Sequence, residues 1–228
     1  MSIVLGLIAA RDGIVASDGR LFAPAMLENG KVVKPATIES EKFDKTFSLD
    51  RERLIGAFAG LMRFSGKDVG AHIDEILQSS AIAEGEFSRI TRNLAEGLNS
   101  RLSNIDEREV IFDCRKLDVL LVGRKSPAKR ELEIARLRFW PANGTMALGI
   151  DTCSAGNQVR HCLFGDDRAA AAANRLLSNN RAPNRNARFL KVLALRAIST
   201  GIKAAGPQPY GSEPACGGVT FTKRVHCK

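Results

Sequence analysis

Two apolar runs, residues 2–9 and 14–18, are divided by Asp12-Gly13, a dipeptide strongly favoured in tight β-hairpin turns because it tolerates positive φ. The chain therefore opens as an antiparallel pair. A stretch rich in Gly and Pro follows, from about Leu21 to Thr37. Two more strands are then expected, Lys45–Leu49 and Arg53–Phe58, turning at Asp50-Arg51-Glu52.

After that the hydrophobic period changes. Val69, Ile73, Ile76 and Leu77 share one helical face behind Ser65, a candidate N-cap, and Phe87, Ile90, Leu94 and Leu98 form a second stripe. Strands resume at Leu117–Val122 and Leu132–Phe139, with an edge or turn at Pro141–Gly144. A third helix is expected over Asp167–Leu177, where an alanine run gives high propensity. A fourth spans about Asn186 to Ala204 and stops at Gly206-Pro207. A last strand covers Val219–Lys223. Pairs of helices alternating with groups of strands predict a layered α+β domain, two packed antiparallel sheets between helical layers, rather than a βαβ repeat.

Composition narrows the class. The 228 residues suit one large domain, read here as a single domain over 1–228, and 44% hydrophobic with 26% charged residues is ordinary for a globular chain. No apolar run approaches the ~18 residues of a membrane helix, and no signal peptide is recognisable. Five cysteines, Cys114, Cys153, Cys162, Cys216 and Cys227, include no C-x-x-C pair, which favours a reducing cytoplasm over disulfides or zinc. His72, His161 and His226 lack ligand spacing, so neither metal nor cofactor is implied. The net charge of +9 is concentrated in a basic stretch from Arg175 to Lys203. No aromatic platform interleaves with it, which argues against nucleic acid; a solvated helix face or a contact with an acidic neighbour is the expectation.

The N-terminus carries candidate chemistry. Serine after the initiator methionine permits methionine removal, which would place a hydroxyl and a free α-amine on Ser2. Such an amine titrates near pH ~7.7–8.0 and can accept a proton at neutrality, and an adjacent N-terminal amine is one recognised activator of a weak hydroxyl nucleophile. Serine is also simply a permissive second residue. Asp18 alone could cap a turn, and Lys45 alone could be a strand-edge charge.

The segment Ile3–Arg20, with Ala16-Ser17-Asp18-Gly19-Arg20, and the segment from Lys45 to Gly60 resemble the proteasome β-type family of N-terminal-nucleophile hydrolases, most closely its bacterial two-component heat-shock protease. The resemblance implies a four-layer αββα sandwich and peptide-bond hydrolysis by Ser2. It implies that Lys45 eases formation of the alkoxide and that Asp18 holds Lys45, with Lys42 the second choice of lysine. It implies the Ala57 N–H as oxyanion donor, in Gly56-Ala57, where the family order is reversed. Glu213 and Cys216, in Glu213-Pro-Ala-Cys216-Gly217-Gly218, match a motif that helps hold the amine, with a longer acid and with a thiol in place of a hydroxyl. Leu163-Phe164-Gly165-Asp166 stands where the family has a serine. Serine in place of the usual threonine loses the methyl that fixes χ1, so a slow peptidase is expected. The resemblance further implies homo-oligomeric rings, polypeptide substrates and an unfoldase partner. A catalytically silent ring subunit and a basic nucleic-acid binder are the rival readings.

Overall fold

A computed structural model of the chain describes residues 2–23, 26–28, 31–49, 53–79, 86–106, 110, 115–126, 129–156, 158–179, 186–207 and 213–226. The strands are β1 (Ile3–Ile8), β2 (Asp12–Ser17), β3 (Leu21–Ala23), β4 (Met26–Glu28), β5 (Lys31–Lys34), β6 (Thr37–Ser40), β7 (Thr46–Leu49), β8 (Leu54–Gly60), β9 (Arg63–Phe64) and β10 (Lys67–Asp68). Helices α1 (Val69–Ser79) and α2 (Phe87–Ser103) follow. Then come β11 (Leu117–Ser126), β12 (Lys129–Ala142), β13 (Thr145–Ser154), β14 (Arg160–Gly165), α3 (Asp167–Ser178), α4 (Ala187–Ala204) and β15 (Phe221–His226).

Among the described residues the fold is a mixed α/β arrangement of antiparallel sheets and four helices. One sheet runs β14-β1-β2-β15 and a larger one β13-β12-β11-β8-β7, with three two-stranded ribbons beside them. In the opening hairpin Val4 faces Ser17 and Ile8 faces Gly13.

Side-chain alternation distributes the core. Ile3, Leu5, Leu7, Ile14 and Ala16 pack against α3 and α4 through Ala169, Ala173, Leu190, Ala194 and Ile198. The intervening Val4, Ile8 and Val15 turn the other way, against Ile55, Ala57, Leu120 and Val122 of the larger sheet. That sheet's far face, with Phe58, Val119 and Leu121, packs on α1 and α2 through Ile73, Leu94 and Leu98. The central strands are thus buried on both faces, so β1 shows no polar alternation. Gly6 sits where the sheets approach most closely, since a Cβ there would lie 2.6 Å from Leu120 Cδ2.

Several expectations change. Ser65 does not cap α1: it has φ 49° in the turn between β9 and β10, and the helix starts at Val69. The stretch from Leu21 to Thr37 holds short ribbons, and β13 and β14 were not expected. The turn at Asp50-Arg51-Glu52, Cys114, Cys227 and the basic Arg181 and Arg185 lie outside the described residues.

Candidate functional site

The hairpin and the start of β7 bring Ser2, Asp18 and Lys45 together. Lys45 Nζ donates to Ser2 Oγ at 2.7 Å, to Asp18 Oδ1 at 3.0 Å and to the Arg20 carbonyl at 2.7 Å. Lys45 and Asp18 are 0% exposed and Ser2 is 2% exposed. Three acceptors match the three N–H bonds of an ammonium, whereas a neutral amine has only two. Burial pushes the Lys45 pKa down, while the charge and hydrogen bond of Asp18 push it back up. Ser2 Oγ accepts from Lys45, which leaves the serine's own proton available for transfer.

Asp18 is held in turn. Its Oδ1 accepts from the Ile3 N–H at 3.0 Å and its Oδ2 from the Gly217 N–H at 3.1 Å. Arg20 clamps Glu41 through Nε and Nη2 and donates from Nη1 to the Pro214 carbonyl. The Gly19 N–H donates to the Gly217 carbonyl, and the Val219 N–H to that of Glu41. Residues 214–219 are thereby pinned across the end of β2.

The end of β14 presses on Ser2 from the other side. The Asp166 N–H donates to the Ser2 carbonyl at 2.9 Å. Gly165 has φ +133°, and a Cβ there would lie 1.8 Å from the Ser2 carbonyl oxygen, so only glycine fits. Asp166 Oδ1 caps α3 through the Ala169 N–H and also accepts from the Gly206 N–H. Cys216 is buried against this group. Desolvation raises its thiol pKa to about 12, with the charges of Asp18 and Asp166 adding to the shift.

The remaining expected residues are placed differently. Glu213 is exposed, so the acid whose backbone touches Ser2 is Asp166. Ala57 lies inside β8, opposite Thr46 on β7 and Leu120 on β11. The Phe58 N–H donates to the Lys45 carbonyl, so alternation turns the Ala57 N–H toward β11 and into the sheet ladder. It is therefore not assigned as an oxyanion donor. Lys42 has its N–H on Ser40 Oγ and takes no part in the cluster. Asp166, Arg20 and Gly217 escaped sequence reasoning because they act through backbone atoms or caps. The available signals were an acid preceding an alanine-rich helix and a Gly-Gly pair.

One buried polar atom stands out. Ser17 Oγ is fully buried and has no hydrogen-bond partner among the described residues, a condition that costs about 1–3 kcal/mol.

The fold belongs to a class seen in known structures, that of the proteins called Anbu. The helical assembly of the Anbu complex from Pseudomonas aeruginosa is similar with a TM-score of 0.64 and 14% identity, over 98% of this chain and 81% of that one. Anbu, the ancestral beta-subunit, from Yersinia bercovieri gives a TM-score of 0.60 and 12% identity, over 98% and 81%. No family model and no curated protein matches the sequence. These neighbours correct the resemblance drawn from the sequence. They are Anbu proteins rather than the heat-shock protease, and at such identity they carry the fold and not membership of a family.

Proposed function

We propose that the chain is a single-domain peptidase subunit whose nucleophile is Ser2, exposed by removal of Met1. The observation that carries this reading is the contact of Lys45 Nζ with Ser2 Oγ at 2.7 Å, with Asp18 as counter-ion. Ser2 Oγ attacks a peptide carbonyl, a C–O bond forms and the carbonyl electrons move to oxygen. The Oγ proton passes to the α-amine of Ser2. The resulting ammonium then protonates the leaving nitrogen as the C–N bond breaks, leaving an ester on Ser2. Water cleaves the ester, again with the amine as base. Lys45 remains charged throughout and favours the developing alkoxide.

The packing of α1 and α2 on one sheet and of α3 and α4 on the other supports an αββα layering of the N-terminal-nucleophile type. Assembly into rings or helical arrays of identical subunits, acting on polypeptides in the cytoplasm with an unfoldase partner, belongs to the same reading and draws on the neighbours' assemblies. No helix of the described residues is long and apolar enough to cross a membrane.

Intact mass and a fluorogenic peptide assay test the proposal. The mature protein should lack Met1, and Ser2→Ala should abolish turnover. A retained methionine, or equal activity in both proteins, would refute it. A second reading, an assembling subunit that cleaves nothing, is favoured by the exposed Glu213 and by the thiol of Cys216. Native mass spectrometry showing full assembly of a protein without Ser2-dependent activity would establish it.

A further inference from the structure

Helix α4 carries Arg188, Lys191, Arg196 and Lys203 and no acidic residue. All four cations are exposed, and none forms an ion pair among the described residues. Helix α2 is balanced by contrast, with Glu96 one turn beyond Arg92. Arg188 and Lys191 are like charges three residues apart, and Arg188 stands in a first turn that has no acid to offset the helix dipole. The surface of α4 therefore works against the helix's own stability, a local conflict of the kind that marks a functional face.

Helical geometry gathers this surface into one stripe. At 3.6 residues per turn, Arg188, Val192, Leu195, Arg196 and Lys203 share an arc about 100° wide, opposite the buried Leu190, Ala194 and Ile198. Its cations stand about 12 Å and then about 10 Å apart along the axis. Between them lie two aliphatic side chains on adjacent turns, Val192 at 44% exposure and Leu195 at 37%. A second copy of the chain would bring the same cations against these, in a protein whose net charge is already +9. Nucleic acid would want exposed rings for its bases, and the one aromatic residue of α4, Phe189, is half-buried against the core beneath the helix. A membrane surface would want a broad apolar face, and the stripe offers only these two residues.

We infer that the outer face of α4 docks an acidic amphipathic helix of a different protein. Its carboxylates, spaced about seven or eight residues apart, would meet Arg188, Arg196 and Lys203, and aliphatic side chains between them would cover Val192 and Leu195. The charge pairs set the register of the two helices, and the apolar contact between them supplies the grip. The inference is independent of the chemistry at Ser2.

The test uses the full-length protein and a fluorescent stapled helical peptide of about eighteen residues, long enough to cover the stripe, with glutamates at the matching spacing and leucines between them. Its scrambled form is the control. Anisotropy should show the ordered peptide binding about tenfold or more tightly than the scrambled one, and weakening as salt rises. Arg188→Glu with Arg196→Glu, and separately Val192→Ser with Leu195→Ser, should each lower that affinity about tenfold or more. The charge-reversed protein should also melt at a higher temperature than wild type, because an acid now occupies the first turn and the run of like charges is broken. An ordered peptide that binds no better than its scrambled form, or binding that neither variant weakens, would overturn the inference. So would a single-stranded oligonucleotide or a phosphatidylglycerol vesicle that binds through Arg188 and Arg196 more tightly than the peptide. Native mass spectra in which charge reversal dismantles a wild-type oligomer would overturn it too, by showing a second copy on this face.

Discussion

Lys45 Nζ sits 2.7 Å from Ser2 Oγ although 43 positions separate the two residues, and neither is open to solvent. A buried ammonium is tolerated here because each of its protons has an acceptor and one acceptor is a carboxylate.

Removing the lysine should therefore damage both stability and chemistry. Lys45→Met leaves Asp18 buried without its counter-ion and is expected to cost about 3–5 kcal/mol, measured by chemical denaturation. Labelling of Ser2 by an electrophile should disappear. The double variant Lys45→Met with Asp18→Asn should recover part of the stability and none of the labelling.

Cys216 gives a signed dependence on pH. Its thiol pKa is raised in the folded state from 9.0 to about 12, so the folded protein keeps a proton that the unfolded chain releases. The stabilisation is complete below pH 9 and is lost as pH climbs toward 12, at about 1.4 kcal/mol per pH unit. Cys162, raised to about 11, adds a loss of the same sign that is complete at a lower pH and smaller in total. Denaturation curves between pH 8 and pH 10 should show a smaller alkaline decline in Cys216→Ala than in wild type.

Gly165→Ala should displace Ser2. The new methyl would collide with the Ser2 carbonyl oxygen, and the backbone dihedral disfavours any side chain. A loss of about 2–4 kcal/mol is expected, together with a fall in Ser2 acylation greater than the unfolded fraction explains. Gly144→Ala serves as a comparison, because its φ is also positive but no atom lies within 4 Å of its Cβ position.

His72 ties α1 to α2 far from this chemistry. Its ring stacks on Phe64 with centroids 3.9 Å apart. Nε2 lies 2.9 Å from the Phe64 carbonyl and Nδ1 lies 2.7 Å from Arg101 Nη1. Arginine can only donate, so Nδ1 must accept and Nε2 must carry the proton. Long-range nitrogen NMR should find that tautomer. His72→Ala should cost about 2–3 kcal/mol while Ser2 acylation of the folded fraction stays at the wild-type rate.

Much of this arrangement was legible before any coordinates. The Asp12-Gly13 turn and the 3.6-residue stripes of Leu94 and Leu98 announce their elements locally, because turn chemistry and helical period are short-range properties. Ser2, Asp18 and Lys45 were grouped through the family resemblance, since each alone also fits a bland role. β13 and β14 were missed since Thr145–Ser154 mixes exposed and half-buried residues without clean alternation and Arg160–Gly165 starts with polar residues at a sheet edge. The outward position of Glu213 and the sheet-facing N–H of Ala57 were illegible for a different reason. Whether a loop side chain turns outward, and which strand a backbone N–H faces, depend on long-range register that no local pattern encodes.

The bond from the Gly217 N–H to Asp18 Oδ2 spans 199 positions, and it bears on the order in which the protein is made. A ribosome releases the opening hairpin long before the glycine that steadies its carboxylate, and β15 must still arrive to flank β2. A nascent chain therefore holds the Asp18 carboxylate without this donor until Gly217 has been made.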